Sequence, residues 1–480
     1  MGIAIPMLDL MFFLTENQDN PRHVGAVLIF ERPPRGGAAI VRQIVSAYRH
    51  ARPVPPFNRV PVLLRAGLPE WREVRDFDMA WHVQQRTLPS PGSDAQLHEL
   101  VAQLHAPMLG RDRPGWQVFV IEGLARNRFA LYIKVHHALV DGESGIELVH
   151  RSLSHSARAR RIHTVVETSL PKPAGHGRGD LLPRLEHEVG KAVRTLVSVG
   201  LGSQRLLEEG LAGLRGFSKD EARPFTAPLT PMNEPIRNAR AIAHTVLPLP
   251  AMKAVARRWD ATLNDVALCV LDAGMNRYLQ GLGRAPERPL VAICPVSLQQ
   301  AEAKQAMTQV SVFWSPLGTP AASVARRMRE LVANTRAAKE RIRSLPRDVA
   351  YAYAVLTFAL GETLALMPRG SVDFFLPSNV LISNVRGPAE PLYLNGARLE
   401  ALCPVSTLIA GMGLNITFMS YAGQVVIGFT CNASALPDAD RLAHYTREAF
   451  AELERTSRSA GASGRTSATR AKPRPRASRA

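Results

Sequence analysis

Cysteine is scarce in this 480-residue chain, and the four present, Cys269, Cys294, Cys403 and Cys431, form no C-x-x-C pair. Neither a disulfide framework nor a zinc knuckle is indicated, and a reducing cytoplasm is the simplest compartment. Basic residues are also missing from the opening MGIAIPMLDLMFF, which carries Asp9 and so is not expected to be a signal peptide. Gly2 does not sit in a myristoylation pattern, which Pro6 disturbs. The apolar stretch VAYAYAVLTFALG (349–361) is followed by Glu362 and falls well short of the ~20 residues that span a bilayer. It reads as a core helix or as a helix lining a lipid tunnel. Acidic residues are outnumbered, 41 against 59 basic, for a net charge of +18. Eight of those basic residues lie between Arg455 and Ala480, where there is no acid, so +10 remains without them. That tail is rich in Ser, Ala, Gly and Pro and is expected to be disordered, with only nonspecific attraction to anionic lipid or nucleic acid. The residual charge suits an anionic substrate.

What is present is organised around FALYIKVHHALVDGESGIELVH, residues 129–150. Phe129, Leu131, Ile133 and Val135 alternate with Ala130, Tyr132, Lys134 and His136, a period of two that predicts a strand with one apolar face. His136 and His137 end that strand. Asp141-Gly142 is a turn dipeptide, and Ser144 followed by Glu147 predicts a capping box for the next helix. His137 shares strand parity with Val135 and Ile133, so it should point into the protein, while His136 turns to structural hydrogen bonds on the other side. Neutral imidazole takes a proton near pH 7. No serine or cysteine nucleophile stands at a recognisable spacing, so the pattern favours direct attack by a substrate hydroxyl or amine with histidine as general base. A merely structural histidine pair is the bland reading of the same residues. A metal site is disfavoured, because adjacent strand residues point to opposite faces and chelate one ion poorly.

His136-His137-Ala-Leu-Val-Asp141-Gly142 matches the His-His-x-x-x-Asp-Gly motif of the acyl-CoA-dependent acyltransferase superfamily. Further segments resemble the bacterial wax ester synthase/diacylglycerol acyltransferases within it. They are an opening helix with Asp9, Phe12 and Phe13 before a His23–Phe30 strand, Phe77-Asp78 before His82-Val83, Pro114 and Trp116, and the Asn264-Asp265 pair. The Pro295-Val296-Ser297 strand, Ser383-Asn384-Val385-Arg386-Gly387-Pro388 and the run Gly413-Leu414-Asn415-Ile416 with Ser420-Tyr421 complete the set, so the likeness covers roughly residues 5 to 450. The chain departs from the family pattern at Gly110, Gly115 and Gln117, and the usual Gly-Asn is absent around Ala306–Gln309.

The resemblance implies an α/β fold of two chloramphenicol-acetyltransferase-like domains, each a mixed sheet flanked by helices. The expected boundaries are 1–180 for the domain carrying the histidines, 181–235 for a helical and Pro-rich linker, 236–455 for the second domain and 456–480 for the basic tail. It implies an O-acyltransferase that moves a long-chain acyl group from acyl-CoA to diacylglycerol or a fatty alcohol, with acyl-CoA as co-substrate and no bound cofactor or metal. His137 would be the general base, His136 its support and Asp141 the residue that orders the loop, through an arginine. Gly142 would allow the tight turn, and Asn264 would donate to the substrate carbonyl or hold the histidine, while Asp265 reads as a helix cap. A related transferase with a different acceptor and a non-catalytic lipid-binding protein are the alternatives. Partners would be acyl-CoA and a lipid alcohol, without specific nucleic acid. The expected location is cytoplasmic, with peripheral contact to the inner membrane or lipid inclusions left open.

Overall fold

The computed structural model describes residues 3–33, 37–63, 69–169, 227–297, 310–344 and 378–468. The expected helices within 181–217, the apolar stretch 349–361 and the 306–309 segment lie outside the described residues.

The first half supplies strands β1 (Ile3–Ala4), β2 (His23–Glu31), β3 (Arg59–Val62), β4 (Glu70–Glu73), β5 (Val83–Thr87), β6 (Trp116–Leu124) and β7 (Arg128–His136). Its helices are α1 (Met7–Thr15), α2 (Gly37–Arg49), the single turn α3 (Met79–His82), α4 (Asp94–His105) and α5 (Gly142–Ser152). The second half supplies β8 (Arg240–Pro248), β9 (Val291–Ser297), β10 (Val310–Pro316), β11 (Val380–Arg386), β12 (Tyr393–Leu394), β13 (Ala397–Val405), β14 (Leu414–Tyr421) and β15 (Gln424–Asn432). Its helices are α6 (Leu249–Arg258), α7 (Leu263–Gly281), α8 (Val324–Ser344) and α9 (Ala439–Ala468).

Two six-stranded mixed sheets result, ordered β12-β13-β2-β7-β6-β5 and β10-β9-β11-β14-β15-β8, with β1-β4-β3 as a small third sheet. This is the expected α/β architecture of two mixed sheets flanked by helices. Strand β7 lies between β2 and β6, and all nine of its residues are buried. That accounts for its apolar content on both faces, beyond what a one-sided strand needs. On one face Leu131, Ile133 and Val135 pack with Ile44 of α2 and Leu148 of α5. On the other, Ala130 and Tyr132 pack with Leu97 and Val101 of α4, and with Ile242 and Val426 of the second sheet. Helix α4 starts with a reciprocal Ser93–Gln96 capping box and is wedged between the two sheets.

Two boundaries differ from the sequence expectation. β12 and β13 were expected in the second domain, but they pair in the first sheet, where β13 runs antiparallel to β2 from Arg398↔Glu31 to Val405↔Gly25. The free edge of β2 and the apolar inner residues of β13 bury each other there. The expected tail also begins too early, since α9 continues to Ala468. Ser457 is buried with its Oγ accepting the Trp259 indole N–H, and Arg458 pairs with Glu454 one turn back, so these residues extend a helix. Among the described residues no helix is long and apolar enough to cross a membrane.

Candidate active site

The last residue of β7 and the one after it are fixed through their backbones. His136 donates its N–H to Gly115 O at 2.8 Å, and His137 donates to Arg22 O at 2.9 Å. A Cβ on Gly115 would stand 3.0 Å from the His136 Cβ, so the missing side chain lets the 115 loop close on the histidine. The chain then turns, with Leu139 N–H bonded to His136 O at 2.9 Å.

His136 is buried and locked. Its Nδ1 accepts the Ala138 N–H at 3.2 Å, so its Nε2 carries the proton and donates to Glu16 Oε2, also at 3.2 Å. Glu16 accepts from Arg111 Nε at 2.8 Å, and Arg111 also donates to Phe13 O at 2.7 Å. Burial alone would raise the Glu16 carboxyl, but the hydrogen bond and charge of His136, then those of Arg111, hold it below its usual value. Tyr132 and Lys134 share the face of β7 that carries His136. Lys134 is fully buried and donates to Leu104 O at 3.0 Å and Pro107 O at 2.5 Å, which anchors the start of the loop leading to Arg111. Burial pushes its ammonium down to about 7.

His137 differs. Its ring is half-buried, with Nδ1 enclosed and unpaired with any neighbouring residue, while Nε2 is neither enclosed nor hydrogen-bonded among the described residues. Burial pushes its pKa down to about 4; its own main-chain carbonyl and then Asp141 pull upward, and His136 and Arg22 push further down. The imidazole is therefore neutral at pH 7. With Nδ1 enclosed, Nε2 is the ring nitrogen on the accessible side, where the neutral imidazole can take a proton. Phe12 stacks on this ring and Phe13 on that of His136.

Asp141 sits at the start of α5, where its Oδ1 accepts the Ser144 N–H at 2.7 Å. Asp141, and not Ser144, is thus the N-cap; the expected Ser144–Glu147 box lies inside the helix. The cap works through the backbone, and among the described residues no arginine pairs with Asp141. Gly142 is the first residue of α5, its φ is not in the left-handed region, and a Cβ there would meet nothing within 4 Å. The expected need for glycine in a tight turn is not what the backbone shows. Gly142 leaves open space beside the loop.

Asn264 stands in the first turn of α7. Thr262 and Asp265 form a reciprocal capping box there, and Asp265 also accepts from Thr335 Oγ1 at 2.7 Å. The Asn264 side chain is half-buried and makes no hydrogen bond to His136, His137 or Asp141 among the described residues. The structure thus brings His136, His137 and Asp141 together and leaves Asn264 apart from their hydrogen bonds. Among the described residues no group of three or more His, Cys, Asp or Glu is placed to hold a metal ion.

Sequence reasoning missed Glu16, Arg111 and Arg22. They belong to the strap 16–22 and the 106–115 loop, and meet the histidines only through tertiary contacts. The second half holds the same strap. Arg22 Nη1 and Asn20 Nδ2 donate to Leu408 O at 2.6 and 3.2 Å, and Arg240 Nη2 donates to Asp19 O at 3.2 Å. A cleft of about 510 Å³ between α4, β8 and α9 carries His98 and Asp440, and none of the sequence-selected residues lines it.

Residues 6–267 match the sequence model of the wax ester synthase/diacylglycerol acyltransferase catalytic domain, and residues 308–454 match that of the WS/DGAT C-terminal domain. A probable diacylglycerol O-acyltransferase of Mycobacterium tuberculosis, Tgs4, is 33% identical over 467 residues, covering 93% of this chain and 95% of its own. A putative diacylglycerol O-acyltransferase of Mycobacterium bovis is 34% identical over 453 residues, covering 93% and 98%. Among solved structures, the wax ester synthase/diacylglycerol acyltransferase from Marinobacter aquaeolei VT8 superposes with a TM-score of 0.77 at 29% identity, over 95% of this chain and 99% of that one. The starter condensation domain of rhizomide synthetase, solved with C8-CoA, gives 0.52 at 15% identity over 95% of each chain, a likeness of fold alone.

Proposed function

Since the chain belongs to the wax ester synthase/diacylglycerol acyltransferase family, we propose that His137 is the general base of an acyl transfer from long-chain acyl-CoA to a lipid alcohol. The protein is an acyltransferase whose acceptor is diacylglycerol or a fatty alcohol. The observation that carries the residue assignment is the contrast within the histidine pair. Both ring nitrogens of His136 are engaged, whereas His137 keeps a neutral ring with Nε2 open.

The hydroxyl proton passes to His137 Nε2 as the hydroxyl oxygen attacks the thioester carbonyl carbon. The tetrahedral intermediate collapses, the carbon–sulfur bond breaks, and the proton passes from Nε2 to the departing thiolate. The products are the ester and free coenzyme A, without an acyl-enzyme. Asp141 lies close enough to favour the imidazolium that forms on the way. His136, held by Glu16, fixes the strand end from which His137 projects. Among the described residues the Asn264 amide makes no side-chain hydrogen bond, which suits a group reserved for substrate. Gly142 leaves room beside the loop.

Contact with a lipid surface is part of the same proposal. Helix α1 is largely apolar, with Leu14 at 66% exposure, and Ile3 just before it is 48% exposed. Flotation with anionic phospholipid vesicles, compared between wild type and Leu14→Glu, would show binding lost in the variant; equal flotation of both would remove α1 from the interface.

The decisive experiment measures coenzyme A release from palmitoyl-CoA with hexadecanol and with dioleoylglycerol. Release should require an acceptor, and His137→Ala should lower it about 10²–10⁴-fold. Full activity in folded His137→Ala, or release without acceptor, would overturn the assignment.

A further inference from the structure

We propose that Phe12 is a positioning residue for His137, its ring held by α1 over one face of the imidazole so as to fix the ring plane and close that face to water. This rests on the reading of His137 as the base.

The contact is a parallel stack. The Phe12 and His137 ring centroids are 4.2 Å apart with planes 16° apart. Phe13 makes the matching stack on His136, at 4.2 Å and 9°. Neighbouring helical residues diverge by about 100°, so two successive phenylalanines can each meet one histidine only if α1 lies across the end of β7. Its packing supports this. Among the described residues α1 packs apart from the cores built on the two six-stranded sheets. It belongs to a small separate cluster in which Phe13 and the half-buried Phe12 and Leu10 meet Trp71, Ala138 and Leu139. Ala138 and Leu139 are the residues that follow the histidine pair, so the helix is seated on the reactive loop itself.

The two stacks differ in what else restrains the histidine. His136 is held at both nitrogens, and Phe13 is itself braced by Trp71 at 5.7 Å and by the Arg111 guanidinium at 5.6 Å. Among the described residues the His137 ring makes no hydrogen bond to another residue, so the Phe12 stack is a contact that restrains its plane. An enclosed face also disfavours the charged ring, in keeping with the low pKa of His137. The charged and titratable groups around the ring are Asp141 at the α5 cap, His136 on β7 and Arg22 before β2. On α1, Asp9 lies one turn before Phe12, and Glu16 at the helix end is engaged by His136 and Arg111.

The test compares the pH dependence of kcat/KM for coenzyme A release in wild type, Phe12→Ala, Phe12→Leu and Phe13→Ala, alongside NMR titration of the His137 ring. Phe12→Ala should move the acid limb and the ring titration upward by about one pH unit and lower kcat about tenfold or more through loss of orientation. Phe12→Leu, which keeps an apolar cover, should lower kcat with a smaller shift. Phe13→Ala should cost stability without moving the His137 titration. An acid limb and ring titration unchanged in both Phe12 variants would overturn the proposal, leaving Phe12 as packing. If Phe12→Ala does not fold, Phe12→Leu decides by the ring titration. If His137→Ala is active, the base assignment fails, while the ring titration still judges the Phe12 contact by itself.

Discussion

Glu16 has no motif around it, yet it organises the buried side of the site. Its carboxylate joins the His136 imidazole to the Arg111 guanidinium, 120 residues away in sequence in the first case and 95 in the second. Glu16→Gln should weaken both bonds and cost about 1.5–3 kcal/mol in stability, the range for hydrogen bonds to charged groups, read as a lower urea midpoint. Asp141 separates two effects that a deletion would mix. Asparagine caps a helix nearly as well as aspartate, so Asp141→Asn should keep stability within a few tenths of a kcal/mol. The lost charge no longer favours the imidazolium, so the His137 titration should move down and kcat should fall; an unchanged kcat would confine Asp141 to capping. The histidines and Asp141 were legible because the motif and the period of two put them at a strand end. Glu16, Arg22 and Arg111 were not, because a carboxylate after one helix and two arginines in loops show no spacing that announces their meeting. Asp141 as the cap was legible in principle. Asp and Ser are equally good N-caps, and Glu147 three residues after Ser144 drew the reading one turn too far.

At the scale of elements, the join between the two sheets depends on a glycine. Gly428 of β15 faces β13 so closely that a Cβ would stand 2.1 Å from Pro404 O. No rotamer relieves contact with a backbone oxygen, so the strands must separate to admit one. Gly428→Ala should therefore destabilise by about 3 kcal/mol, measured as a fall in the urea midpoint; a neutral result would mean the sheets tolerate separation there. Strand and helix identities were readable where the period was clean, as for β7, β8 and α4. The placement of β13 was not, because its buried residues Ala397, Leu399, Ala401, Cys403 and Val405 alternate as in any half-buried strand and carry no mark of which sheet they join. The extent of α9 was obscured by composition: Ser, Gly and Arg after residue 455 look like tail, whereas contacts with Trp259 and ion pairs along the helix make them helical.

Across the whole molecule, buried titratable groups set a window of stability. Burial holds His82, His137 and His244 at about 4, and His23 and His105 well below their ordinary value. Unfolded, each takes a proton near pH 6.5. Below that pH the unfolded chain binds more protons, so the contribution of these histidines is complete above about 6.5 and is lost as pH falls toward 4. Lys134, held at about 7, acts in the same direction up to its unfolded value near 10.4. The four cysteine thiols, pushed up by burial, oppose it above about pH 9, where the unfolded thiols ionise. The melting temperature should rise from pH 5 to about 8 and decline above about 9; a maximum near pH 5 would contradict the buried neutral histidines. The pairing of β13 with β2 has a consequence in time. Leu28 meets Leu402, a partner made about 370 residues later, which is roughly 20–75 s of synthesis at ~5–20 residues per second. Through that interval the nascent first half carries an open strand edge on β2, next to the strand that bears its histidines, so the first sheet is completed only after β13 has been made.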